Sequence, residues 1–85
     1  MFNPTPNLTV TVRNKNKVIY NGQAFAITAI NDKGNFDILS QHENFISLIK
    51  NKVIIRPTPK ESNEIAIENG ILRAYKDKVY IYVNF

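Results

Sequence analysis

At 85 residues the chain has material for one domain, because a core of this size buries only about 60% of the surface its unfolded chain exposes and halving it leaves neither part stable. It holds no cysteine, which excludes disulfides and thiolate metal sites, fits a reducing, intracellular setting, and leaves stability to apolar burial by a composition that is 44% hydrophobic. The formal charge is +4, with Arg13, Lys15 and Lys17 and no Asp or Glu in residues 1 to 30, a balance that suits an anionic partner such as nucleic acid or a membrane surface. Most of the cations fall in turns among asparagines, so a solvated surface is the simpler account of them.

The opening Met1-Phe2-Asn3-Pro4-Thr5-Pro6-Asn7 has no basic region and no apolar run of signal-peptide length. No later stretch approaches the ~20 apolar residues that span a bilayer, and a soluble chain is expected. Leu8, Val10 and Val12 alternate with Thr9 and Thr11, the period of a half-buried strand. Short β-branched or aromatic runs follow at Val18 to Tyr20, Ala24 to Ile30, Phe36 to Leu39, Val53 to Ile55, Ile65 to Ile67 and Ile71 to Tyr75. The last run, Val79, Ile81 and Val83, alternates with Tyr80 and Tyr82. Between them lie Asn14-Lys15-Asn16, Asn21-Gly22, Asn31-Asp32-Lys33-Gly34, Pro57-Thr58-Pro59 and Lys76-Asp77-Lys78, all of turn composition.

This punctuation predicts an all-β fold, a flattened antiparallel β-sandwich of about eight to ten short strands. Gly22 and Gly34 are expected to close tight turns, and Asn69-Gly70 to turn the chain between Ile67 and Ile71. Arg56 to Asn63, with two prolines, reads as an exposed hairpin connection. His42 to Ile49 fits either a two-turn helix with one apolar face or a buried strand. Phe36, Ile38, Phe45 and Leu48 are assigned to the core, which needs every large apolar side chain a small sandwich has.

Catalysis needs a nucleophile, acid or base held against an orienting partner, and one histidine with seven carboxylates is a poor inventory for it. Glu64 and Glu68 share the polar side of a strand with Ala66, where they solvate a face more naturally than they form an acid–base pair. No catalytic residue, metal site or cofactor is therefore predicted, because neither ligand clusters at metal spacing nor a glycine-rich phosphate cradle occurs. Binding or assembly remains.

Three motifs in order carry a resemblance: Tyr20-Asn21-Gly22-Gln23-Ala24, then Gly34-Asn35-Phe36-Asp37-Ile38-Leu39-Ser40-Gln41-His42, then Asn69-Gly70-Ile71-Leu72. Together they resemble the N-terminal β-sandwich of the epsilon subunit of F-type ATP synthases, delta in mitochondrial naming. That family shows aromatic-x-Gly before a long second strand, Gly-x-Phe-Gly-Ile-Leu-Pro-Gly-His before an apolar stretch, and a Gly-Gly-Phe-Leu-type turn. Here Asp37 stands in place of Gly, Ser40-Gln41 in place of Pro-Gly, and Glu43-Asn44 in place of Ala-Pro. The family's C-terminal helical hairpin, which restrains ATP hydrolysis, has no counterpart in these residues.

The resemblance implies a non-catalytic central-stalk subunit that links the gamma subunit to the membrane ring of a proton- or sodium-translocating synthase, peripheral to the cytoplasmic side of the plasma membrane. On this reading Asn31, Asp32, Lys33, Gly34 and Asn35 face the c-ring, and Ser40, Gln41, His42, Glu43 and Phe45 face gamma. Two other readings stand beside it. One is a small basic barrel that stacks single-stranded nucleic acid on Tyr75, Tyr80 and Tyr82 beside Lys76 and Lys78. The other is a free-standing relative of the fold with different partners.

Overall fold

The computed structural model describes residues 8–39 and 44–84. Their regular elements are β1 (Leu8–Arg13), β2 (Val18–Ala24), β3 (Ala26–Asn31), β4 (Gly34–Leu39), β5 (Phe45–Arg56), β6 (Asn63–Tyr75) and β7 (Lys78–Val83). The all-β class read from alternation is the one observed. In β1 and β7 the aliphatic positions bury one side of the pleat and leave the other wet: Leu8, Val10, Val12, Val79, Ile81 and Val83 are buried, whereas Thr9, Arg13, Tyr80 and Tyr82 are exposed. Phe45 to Ile49 extends as strand, which decides the choice left open there.

Hydrogen bonding joins the strands in the order β2-β1-β7-β6-β5-β3-β4. Every ladder is antiparallel except β1 with β7, which is parallel, so the sheet is mixed and the first and last strands lie side by side. One-sided alternation says which face is buried and nothing about strand direction, which is why an antiparallel pairing was expected there.

Two strands are far longer than expected, β5 with 12 residues and β6 with 13. Their pairing slips between Lys50 and Lys52, where Asn51 takes a left-handed backbone at φ 71°. Asparagine tolerates that region better than most residues, so it sits in a bulge without ending the strand. Across from it Glu68 and Asn69 are both exposed, one extra residue in β6 that lets Ile67 and Gly70 point the same way. The Glu68 amide, displaced from its ladder, donates to Asn84 Oδ1 at 2.8 Å, and the Asn84 amide donates to Asn69 O at 2.8 Å.

The bulge splits the sheet into two layers. The first half of β5 and the second half of β6 continue into β7, β1 and β2; the other halves continue into β3 and β4. In a flat sheet β1 and β3 would stand ~19 Å apart, four strand spacings. Leu8, Val10, Ile27, Ala29, Ile55 and Leu72 nevertheless belong to one core cluster and are fully buried, so the sheet folds over on itself as a sandwich. Seven strands, two of them bent, thus do what about eight to ten short ones were expected to do.

Two expected turns are not turns. Gly22 lies inside β2 opposite Val10, where the Tyr20 ring covers the place a side chain would take, its Oη 3.3 Å from a Cβ built there. Asn69 and Gly70 lie inside β6, and glycine is required at 70 by crowding: a Cβ would meet Tyr82 O at 3.0 Å, Ile49 Cγ1 at 3.1 Å and Val83 Cγ1 at 3.2 Å. Gly34 opens β4 with φ at 116°, a conformation that L side chains avoid. Between β5 and β6 the proline-bearing connection is a turn in which the Glu61 amide donates to Thr58 O.

Candidate docking face

The outer face of the larger layer is built by register. Ile46 stands opposite Arg73, which stands opposite Tyr80, then Thr11, then Asn21. One row further Leu48, Ile71, Tyr82 and Arg13 align, and on the other side Tyr75, Lys78, Thr9 and Gln23. Lys50 opposite Asn69 closes the series next to the bulge. Cross-strand neighbours of this kind lie about 4.5–5.5 Å apart at Cβ, so each row is a contiguous strip of surface.

Large apolar side chains on this face meet water. Ile46 is 68% exposed, Leu48 71% and Tyr80 48%. Leu48 was expected in the core. Its strand instead turns Phe45, Ser47 and Ile49 inward, and the alternation pushes Ile46 and Leu48 out. The sequence reading missed this because Phe45 to Ile49 is apolar on both sides of a pleat, a pattern that hides which side is core.

Charge is divided between the two outer faces. The rows of the larger layer carry Arg13, Lys50, Arg73 and Lys78 and no carboxylate. On the smaller layer, Glu64, Ile54, Thr28 and Asp37 form a row in which carboxylates do occur, each bonded to a neighbouring side chain. Thr28 Oγ1 donates to Asp37 Oδ1 at 2.6 Å, Arg56 Nη2 reaches Thr28 Oγ1 at 3.5 Å, and Lys52 pairs with Glu64 at 3.5 Å. That ion pair is solvent-exposed and contributes at most about 1 kcal/mol.

Asn31, Asp32, Lys33, Gly34 and Asn35 form the β3–β4 turn, with the Lys33 amide donating to Asn31 Oδ1 at 2.8 Å and Asp32, Lys33 and Asn35 exposed. Asn31 Nδ2 also donates to Ser47 Oγ at 3.3 Å, which ties this turn to β5. Asn31, Asp32 and Lys33 therefore share a groove of about 580 Å³ with Phe45, Ile46 and Leu48. Phe45 is half-buried, its ring edge-on to Phe36 with centroids 5.4 Å apart. Ser40, Gln41, His42 and Glu43 lie outside the described residues.

At the far end of the face the β6–β7 hairpin frames a second depression, about 770 Å³, lined by Thr9, Arg73, Tyr75, Lys76, Asp77, Lys78 and Tyr80. Arg73 and Lys76 both lie over the Tyr75 ring, at 5.8 and 5.5 Å from its centroid. The Lys76 amide donates to Asn44 Oδ1 at 3.3 Å, which fixes the hairpin against the entry to β5. Among the described residues no group of three His, Asp or Glu is placed to hold a metal ion, and no helix is long and apolar enough to cross a membrane.

Similarity to known proteins agrees with this architecture. Residues 7–85 match the model of the family described as "ATP synthase, Delta/Epsilon chain, beta-sandwich domain". The chain is 31% identical over 77 residues to an ATP synthase epsilon chain from Sulfurimonas denitrificans, covering 89% of this chain and 59% of that one. It is 30% identical over 80 residues to an ATP synthase epsilon chain from Corynebacterium efficiens, covering 92% and 64%. The chain thus spans about three fifths of the length of these relatives. In fold it superposes on a chain of the Euglena gracilis mitochondrial ATP synthase (OSCP/F1/c-ring) with a TM-score of 0.84 at 16% identity, covering 96% of this chain and 53% of that one. A chain of the Tetrahymena thermophila mitochondrial ATP synthase central stalk and c-ring gives 0.78 at 18%, covering 98% and 67%. On the extent of the family match and the sequence identity to these relatives, the chain belongs to the ATP synthase delta/epsilon family and is built as its β-sandwich domain.

Proposed function

We propose that this sandwich is a non-catalytic part of the central stalk of a proton- or sodium-translocating ATP synthase, a coupler that joins the gamma subunit to the membrane-embedded ring and is held at the cytoplasmic side of the plasma membrane through the complex. The observation that carries this reading is the unpartnered outer face of the larger layer. A soluble sandwich that leaves Ile46 and Leu48 mostly in water beside a row of tyrosines and arginines has a surface composed like the centre of a protein interface. Family membership and the central-stalk and c-ring assemblies in which its structural neighbours occur support the choice of partners.

In this role the Asn31 to Asn35 turn meets the polar loops of the ring, and Phe45 with the Ser40 to Glu43 segment meets gamma. The Asn31–Ser47 hydrogen bond gives the two contacts a common footing, since a load on the turn passes directly into β5. Immobilised chain incubated with purified gamma subunit and with detergent-solubilised ring tests the proposal. Retention of both is expected; retention of neither overturns it.

A further inference from the structure

We infer that the outer face of the larger layer receives a carboxylate-rich partner surface, with the partner's apolar contacts seated on Ile46 and Leu48 and its acidic groups on Arg73, Lys78 and Arg13. This rests on the central-stalk reading above and adds to it the chemistry of the surface that gamma presents.

Among the described residues the rows of this face hold four cations and no carboxylate, with only Asp77 in the adjoining hairpin and Glu68 at the bulge as acids beside them, whereas on the smaller layer Lys52 pairs with Glu64. An exposed cluster of like charge is stabilised by an oppositely charged partner, which also gains encounter rate from it. Arg73 and Lys76 are already drawn over the Tyr75 ring, so less side-chain entropy is lost when a carboxylate arrives than for free side chains. The hairpin depression beside them has room for a partner side chain, and tyrosine and arginine are the residues most often found where binding energy concentrates.

Two other occupants fit less well. A second copy of the chain would set cation against cation across a two-fold axis. Single-stranded nucleic acid would find Tyr75, Tyr80 and Tyr82 to stack on, but Ile46 and Leu48, the most exposed large apolar groups here, offer nothing to phosphate or base edges.

The test is calorimetric titration of the full chain with gamma at about 50 and 300 mM NaCl, repeated with an Arg13→Glu/Arg73→Glu/Lys78→Glu variant and with Lys52→Glu as a control on the opposite face. Expected are about tenfold weaker binding of the wild type at the higher salt, about 100-fold or greater loss in the triple variant at the lower salt, and no change in the control, with circular dichroism native throughout. Unchanged affinity of the triple variant overturns the inference and leaves the stalk reading intact. An amphipathic helix of Leu and Glu, titrated in parallel, separates the two in the other direction. If gamma does not bind while this peptide does, and the triple variant loses it, the stalk reading falls and the face assignment stands; binding of neither overturns both. Self-association in sedimentation, or tight binding of oligo-dT that the triple variant loses while gamma binding persists, overturns the inference in favour of those occupants.

Discussion

Replacing Ile46 and Leu48 together by alanine separates a docking face from a packing face. Full burial of a Leu or Ile side chain is worth about 1.5–3 kcal/mol. In the isolated chain these residues are 68% and 71% exposed, so most of that gain is still unrealised. Docking the face therefore makes about 1–2 kcal/mol available at each position, or about 2–4 kcal/mol for the pair, which is about 30- to 1,000-fold in Kd. The same exposure means that folding depends little on them: surface substitutions stay within about 0.5 kcal/mol each, and the melting temperature should move by only a few degrees. Calorimetry against gamma and thermal circular dichroism read the two quantities independently. An unchanged Kd would show that the pair takes no part in docking, and a fall in melting temperature above about 10 °C with binding retained would show that it packs inward; either outcome rules out a docking face here.

Gly70→Ala should lower stability by about 1–3 kcal/mol, seen as a lower urea midpoint, because its methyl group would press on the Tyr82 carbonyl, which cannot swing aside. Leu72→Ala, at a fully buried position, should cost about 2–5 kcal/mol and leave a substantial unfolded fraction at 37 °C by circular dichroism. Asn84→Gly keeps the left-handed backbone and removes only the side-chain acceptor, so hydrogen exchange at the Glu68 amide should quicken about five- to tenfold with little change in melting temperature. Gly34→Ala should destabilise by about 1–3 kcal/mol through φ alone, since open space surrounds the position; an unchanged urea midpoint would show that the turn relaxes freely.

Both ends of the fold were legible because Leu8, Val10 and Val12, and later Val79, Ile81 and Val83, leave a single solution for which side is buried. The middle was less so. Asn51 and Asn69-Gly70 have turn composition, and only the partner strand decides whether such residues reverse the chain or bend it. The extra residue in β6 is matched by the left-handed Asn51 in β5 and by Asn84, just past β7, which takes the displaced Glu68 amide, and none of these three is informative alone. The candidate site suffered similarly. The Asn31 to Asn35 turn was readable from its own residues, but the rows that bring Ile46, Arg73 and Tyr80 together depend on pairings between strands that sequence does not state. Tyr75, Tyr80, Lys76 and Lys78 were noticed for nucleic-acid stacking, and the structure places them on the same face as the apolar pair.

The bulge at Asn51 has a mechanical consequence. Two separately stacked sheets would resist sliding only through their interdigitated side chains, and each could shear or peel from the other. Here β5 and β6 run through both layers, so torque applied to one plate reaches the other along two covalent backbones. The domain behaves as a creased plate, stiff across the crease and compliant mainly in its outermost strands, β2 and β4.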